Sequence, residues 1–147
     1  MLIQKFSVLA VTVLLATGIA GVFAQEAFTP PATPQEAIAM RQAIMKQNGG
    51  ILRGASRLSG AEAVTAAQTI LDNFTHMPDL FPEGSEGGDA LPAIWQNWET
   101  FTAIIETGRA GAEAALAGAE AGDAAAYGAG LQAVMGTCNQ CHEQFRS

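Results

Sequence analysis

The sequence predicts an all-α protein, an antiparallel four-helix bundle. Four segments carry helix-start signals and then place apolar residues at helical spacing, in a chain rich in alanine. No segment shows the alternation of apolar and polar residues that would indicate a strand. The 147 residues suffice for one domain, and short connections between most helices favour antiparallel neighbours.

Residues 1–24 are predicted to be a secretory signal peptide. Lys5 precedes an apolar run over residues 6–20, and Val22 and Ala24 supply the small residues of a cleavage site. The apolar run is too short and too interrupted by glycine to favour a stable membrane span. We therefore expect cleavage after Ala24, export to the periplasm, and a bundle formed by residues 25–147.

The first helix is predicted to begin at a capping box, residues 33–36, which places proline at the first helical position. Ile38, Met45 and Leu52 then recur every seven residues, which puts them on one helical face. The helix should therefore continue to about Leu58.

The second helix is predicted to begin at another capping box, residues 59–62, and Pro78 must end it. Residues 78–91 follow as a long loop rich in glycine and proline. A connection of this length in a compact bundle is often functional or wraps around another group. The inner stripe of the second helix comprises Ala63, Ala66, Ala67, Ile70 and Phe74.

Pro92 is predicted to open the third helix, which continues through residues 109–121 and ends near Gly122. Asp123 is a suitable N-cap for the fourth helix. The inner face of the third helix is predicted to hold Ile94, Trp98, Phe101 and Ile105. The buried face of the fourth is predicted to hold Leu131, Val134, Met135, Cys138, His142 and Phe145.

The fourth helix carries the motif CNQCH at residues 138–142, the attachment signature of a c-type haem. Cys138 and Cys141 lie three residues apart on one helical face, so both thiols can reach the haem vinyl groups and form thioethers. His142 follows directly and can serve as an axial iron ligand. The motif uses both cysteines of the chain.

Three other interpretations of the cysteine pair are open. A thioredoxin-like redox pair normally opens a helix in an alternating βαβ pattern, which this chain lacks. A Cys138–Cys141 disulfide in a haem-free helical binding module leaves the histidine without a role. A zinc site needs four ligands, and the only other histidine, His76, is distant in sequence.

The acidic composition restricts the choice of partners. The chain has 14 Asp and Glu against 7 Lys and Arg, a net charge of −7. This balance argues against binding to nucleic acid or to an anionic membrane surface, and it favours a basic redox partner. No acid–base pair or nucleophile constellation is present in the sequence, so we do not expect an enzyme.

The chain resembles the class II cytochromes c, the family of cytochrome c′ and the low-spin cytochromes of the c-556 type. The resemblance rests on the haem motif and on three further segments, RQAIM at residues 41–45, GGDALPAIW at 87–95 and HEQFR at 142–146. It implies a four-helix bundle with one covalently bound haem c. It also implies thioether links at Cys138 and Cys141 and proximal iron ligation by His142.

The resemblance further implies that Arg41, Gln42 and Asp89 contact the haem propionates. An arginine suits a carboxylate, and Arg41 lies one turn before Met45 on the same face. As bare sequence, the same three residues are equally a solvated surface charge, a surface amide and a turn aspartate.

Met45 occupies the position of the sixth iron ligand in this family. If its thioether binds iron, the haem is six-coordinate and low-spin, as suits an electron carrier. If Met45 only packs against the haem, the iron is five-coordinate, as in some cytochromes c′, and binds nitric oxide or carbon monoxide. The resemblance also implies a homodimer through the first two helices.

Other candidate ligands or packing residues are weaker than Met45. These weaker candidates are His76, Met40, Met77, Met135, Trp95 and Trp98.

Overall fold

The computed structural model describes residues 28–147, so the predicted signal peptide and its cleavage site lie outside the described residues. Four long helices account for most of these residues, as predicted. They are joined by one 3₁₀ turn and one short helix. In chain order the elements are α1 (Pro34–Ala55), α2 (Gly60–His76), the 3₁₀ turn (Met77–Leu80), α3 (Ala93–Gln96), α4 (Trp98–Glu120) and α5 (Ala124–Phe145).

The two predicted capping boxes behave differently. Thr33 caps α1, because its hydroxyl accepts a hydrogen bond from the Glu36 N–H at 3.2 Å. The Glu36 carboxylate reaches back to the N–H of Ala32 at 2.8 Å. Ser59 precedes α2 in an extended conformation, yet its side chain makes no capping hydrogen bond. The second capping box is therefore not formed, although the helix begins where predicted.

The predicted third helix is interrupted, which corrects the sequence analysis. Asn97 separates α3 from α4 with φ −129° and ψ 45°, outside the helical region. Its side-chain amide and its backbone N–H both donate to the Ala93 carbonyl, at 3.0 and 2.9 Å. Trp98, the first residue of α4, is 39% exposed rather than buried on the inner face. The side-chain amide of asparagine competes with helix hydrogen bonds in this way.

The helices α4 and α5 approach each other closely because glycines lie where they cross. A Cβ added at Gly118 would lie 2.9 Å from the Ala126 carbonyl carbon and 3.0 Å from the Tyr127 Cα. A Cβ added at Gly130 would lie 2.6 Å from the Ala115 Cα. Both distances are too short for non-bonded carbon atoms, so only glycine permits this approach.

The core lies between the four long helices and includes the start of the long loop. Leu80 and Phe81 are buried beside Phe101, and Phe145 packs edge-on against Phe101 at 5.4 Å between ring centroids. Backbone pairing other than helix and turn bonds consists, within residues 28–147, of two isolated bridges that join Ala90 to Gly87 and to Arg146. None of the helices between residues 28 and 147 has the length and apolar character that a membrane span requires.

Candidate haem site

The CNQCH motif lies in the last turns of α5, as predicted. Cys138 and Cys141 are half-buried free thiols on the inner side of the helix. Burial, together with the neighbouring Cys138, raises the pKa of the Cys141 thiol to about 11. Burial also raises the pKa of Cys138. Both sulfurs are therefore neutral thiols at neutral pH in the folded chain, not an activated redox pair.

Two cavities meet at this motif. The first has a volume of about 380 Å³ and the second about 370 Å³. Met45, Cys141 and His142 line both cavities, so the two predicted axial ligands and one predicted thioether face a shared space. Cys138 lines the second cavity.

His142 lies in the last turn of α5, at the wall of this space. Its carbonyl accepts a hydrogen bond from the Arg146 N–H at 3.2 Å. Burial lowers the pKa of the His142 imidazole, the nearby Arg146 lowers it further, and Asp89 opposes this shift. The neutral imidazole that results is the form that ligates a metal.

Residues 145–147 form hydrogen bonds with the long loop beside His142. The Arg146 guanidinium donates to the Asp89 carboxylate from Nε at 3.1 Å and from Nη2 at 2.9 Å. The Leu91 N–H donates to the Phe145 carbonyl at 3.0 Å, and the Ser147 N–H donates to the Asp89 carbonyl at 2.9 Å. Asp89 therefore lines the first cavity, and its carboxylate accepts hydrogen bonds from Arg146.

Arg41 is buried, with 5% of its surface exposed, so it is not a solvated surface charge. Arg41 lines the first cavity, and its guanidinium donates to Ser85 Oγ at 3.2 Å and to three loop carbonyls. These are the carbonyls of Leu80, Ser85 and Gly87, at 3.4, 2.7 and 2.7 Å. Burial lowers the pKa of Arg41, and the negative charge of Glu86 partly offsets this effect.

The first cavity has a basic rim in an acidic protein. Within residues 28–147 there are six lysine and arginine side chains, and Arg41, Lys46 and Arg146 all line this cavity. Gln42 lies at the same rim and is exposed. No ion pair in this part of the chain neutralises Arg41, so its buried charge favours an anionic group in the cavity.

The remaining walls are mostly apolar. In the first cavity Phe81, Ile94 and Phe101 contribute side chains, and in the second cavity aliphatic and methionine side chains dominate. This combination fits haem c, a flat apolar group that carries two carboxylates and accepts two thioether links. The side chains that would hold it are Cys138, Cys141, His142, Met45 and the basic residues of the rim. When bound, haem c supplies an iron that gains or loses one electron.

A buried amide network beside the second cavity is not evident from the sequence. Asn48 is 4% exposed and follows Met45 by one turn of α1. Asn73 on α2 donates from Nδ2 to Asn48 Oδ1 at 2.7 Å and to Gln47 Oε1 at 2.9 Å. These bonds connect α1 to α2 and restrain the helix that carries Met45.

The weaker candidate ligands differ in where they lie. His76 stacks on Phe28 with ring centroids 3.9 Å apart and lines neither cavity. Met77 is buried at the second cavity. Met135 lines the same cavity but is 42% exposed, which corrects its predicted burial on α5. The described part of the chain has no group of three or more histidine, cysteine or carboxylate side chains suited to a metal ion.

Comparison with known proteins identifies the family of this chain. The model of the protein family described as Cytochrome C′ matches residues 32–146. A cytochrome c-556 of Agrobacterium tumefaciens is 39% identical over 114 residues, which cover 72% of this chain and 93% of that protein. A cytochrome c′ of Rhodopseudomonas palustris is 34% identical over 122 residues, which cover 76% of this chain and 82% of that protein.

Solved structures show the same fold. The cytochrome c′ of Thermochromatium tepidum superposes with a TM-score of 0.70 at 24% identity, covering 79% of this chain and 98% of that one. A nitric oxide complex of a variant cytochrome c prime from Alcaligenes xylosoxidans superposes with a TM-score of 0.72 at 23% identity, with the same coverage. The four-helix bundle is therefore confirmed by structure as well as by sequence.

Proposed function

This chain belongs to the cytochrome c′ family, and on that premise we propose that it is a periplasmic electron carrier whose haem iron is ligated by His142 and Met45. Members of this family carry one haem c, attached covalently. The class II resemblance stated from the sequence is confirmed. What we propose is the branch of the family to which this chain belongs, and therefore that Met45 is the sixth iron ligand.

The position of Met45 carries this proposal. Met45 and His142 are on different helices, yet both line the two adjoining cavities. The side chain of Met45 is half-buried and packs against the core. A thioether as sixth ligand favours ferrous iron and keeps the coordination unchanged on electron transfer.

We further propose that Cys138 and Cys141 form the thioethers and that the basic rim receives the propionates. Arg41 supplies a buried positive charge, and Gln42 supplies an exposed amide at the same rim. Asp89 accepts both of the short hydrogen bonds of Arg146, so its contribution is to orient that arginine toward the rim.

A gas-binding cytochrome c′ with five-coordinate iron is the second candidate. The observation that favours it is the apolar first cavity, where Phe81, Ile94 and Phe101 offer no ligand atom. Among the relatives, both cytochrome c-556 and cytochrome c′ are matched. In this candidate Met45 would be a packing residue beside an open iron.

Substitution of Met45 separates the two candidates. We expect the wild-type holoprotein to show sharp low-spin optical bands that do not change with carbon monoxide. Met45→Ala should shift the bands to high-spin and make ferrous iron bind carbon monoxide. Met135→Ala is the matched control, since Met135 lines the second cavity but is 42% exposed. A wild-type spectrum that is high-spin and responds to carbon monoxide would establish the gas-binding candidate.

The haem-free binding module is tested by mass. Intact-mass measurement of the exported protein should show one covalent haem, and the colour should survive acid–acetone extraction. A colourless protein two hydrogens lighter than the dithiol chain would establish the Cys138–Cys141 disulfide instead. The same mass spectrum identifies the N-terminal residue, which we expect to be Gln25.

We also propose a homodimer through α1 and α2, as the family resemblance implies. Ile44, Ile51 and Leu58 recur every seven residues along and just beyond α1, and Val64 and Leu71 do so on α2. All five are half-buried, which leaves an apolar surface for a second copy. Sedimentation should show a dimer that Ile51→Lys dissociates, and a wild-type monomer at working concentration would refute it.

A further inference from the structure

The segment of residues 80–87 is attached to the bundle from two sides. From α1, Arg41 donates to Ser85 Oγ and to three carbonyl oxygens of the segment at distances between 2.7 and 3.4 Å. From α3, the indole N–H of Trp95 donates to the carbonyl oxygens of Phe81, at 3.0 Å, and of the next residue, at 3.2 Å. Because 81–87 has no helix or strand of its own, these bonds decide how rigid it is.

Ser85 is the point where the attachments meet. It is fully buried, and its hydroxyl accepts from Arg41 while donating to the Pro82 carbonyl at 2.7 Å. Its backbone N–H donates to the same carbonyl at 3.1 Å. A buried serine in a loop is unusual. Here the two donors of Ser85 are satisfied within the segment, and its hydroxyl and carbonyl oxygens accept hydrogen bonds from Arg41 of α1.

The bonds fix the ring of Phe81 at the cavity wall. The Arg41 Cζ lies 4.9 Å from the centroid of this ring, and the Phe101 ring meets it edge-on at 4.7 Å. Trp95 lies beyond, with ring centroids 6.2 Å apart. Phe81 is 5% exposed and lines the cavity that Met45 also lines.

We propose that Arg41, Ser85 and Trp95 are positioning residues that hold Phe81 as a gate between solvent and the sixth coordination position. With the segment held, a diatomic ligand reaches the iron slowly. With the segment released, the Phe81 ring moves and entry becomes faster. This inference rests on the proposed function, because it takes the haem to be bound in the cavity beside Phe81.

The test uses Trp95→Phe, because Trp95 lines neither cavity and the substitution removes only the hydrogen-bond donor and part of the ring. Ser85→Ala is the second variant, and it removes the hydroxyl that Arg41 contacts. Trp98→Phe is the matched control, since its indole N–H donates to no protein group in residues 28–147 and the ring is exposed. Each is made in holoprotein carrying Met45→Ala, where the sixth position is open.

Two quantities are measured for each variant, hydrogen–deuterium exchange of residues 81–91 and the carbon monoxide association rate after flash photolysis. Loss of one hydrogen bond changes an opening equilibrium by roughly fivefold. We expect both quantities to rise by about that factor in Trp95→Phe and by at least that factor in Ser85→Ala, which removes two hydrogen bonds, and neither to change in Trp98→Phe. Faster exchange without faster association would refute the gate, and unchanged exchange would refute the role of Trp95 and Ser85 in holding the segment.

Failure of the proposed function gives a different result. If Met45 does not ligate iron, the wild type itself binds carbon monoxide, and the same three substitutions are compared in the wild type. If a variant does not retain the helical content and haem of its parent, the other variant decides the outcome. The iron ligation and the gate are therefore judged by separate observations.

Discussion

Replacing Gly130 by alanine should force α4 and α5 apart and destabilise the protein. The new Cβ would lie 2.6 Å from the Ala115 Cα and 2.8 Å from the Ala115 Cβ. Carbon atoms in contact prefer about 3.5 Å or more, so one helix must move by roughly 1 Å. The atoms that obstruct the new methyl group belong to or adjoin the backbone of α4, so no side-chain rotation relieves the contact.

The magnitude follows from two opposing contributions. Overpacking a close contact costs about 3 kcal/mol at the upper end of its usual range, which applies when backbone atoms are involved. Replacing a helical glycine by alanine raises the free energy of unfolding by about 1 kcal/mol through helix propensity. The net loss is about 2 kcal/mol, which lowers the unfolding temperature of a domain of this size by roughly 8 °C.

Gly128 provides the matched control because it lies on the same helix with open space around the added Cβ. Gly128→Ala should raise the free energy of unfolding by about 1 kcal/mol, from helix propensity alone. Both variants are compared with wild type by urea and thermal unfolding of the holoprotein. Equal stabilisation by the two substitutions would refute the close approach of α4 and α5.

Two further predictions concern single side chains. His142→Ala removes the proximal nitrogen but neither thioether. Covalent haem should therefore remain in the intact mass, and the low-spin optical spectrum should be lost. An unchanged spectrum would exclude His142 as an iron ligand. Tyr127 donates its hydroxyl to the Ala55 carbonyl at 3.0 Å, and burial raises its pKa above the ordinary value of 10.0. As pH rises, the unfolded chain loses the tyrosine proton before the folded chain does, so the free energy of unfolding should fall above about pH 10. Urea unfolding at pH 8 and 11 measures this fall, and Tyr127→Phe should lessen it.

Local signals in the sequence predicted most of the fold. Helix caps, proline positions and seven-residue spacing placed the four long helices, since these features act within a few residues of the chain. The break at Asn97 was missed because an asparagine inside a helical pattern gives no signal of whether its amide will compete for a backbone carbonyl. Trp98, which begins α4 after this break, is partly exposed.

Within the site, the sequence placed the thiols, the histidine and Met45 but not the contacts that position them. The partners of Arg41 lie 39 to 46 residues away in a loop, and Asp89 lies 57 residues from Arg146. Such pairs depend on how the helices pack, which no local pattern specifies. Met135 was misplaced for a similar reason, because it lies at the edge of the buried face and the cavity leaves one side of it open.

The most direct test of the proposed ligation is iron X-ray absorption of the purified holoprotein in both oxidation states. A sulfur from Met45 and a nitrogen from His142, together with four pyrrole nitrogens, should appear in the first coordination shell. The sulfur should be absent in Met45→Ala. A wild-type shell of nitrogen or oxygen atoms alone would contradict ligation by Met45 and with it the assignment as an electron carrier.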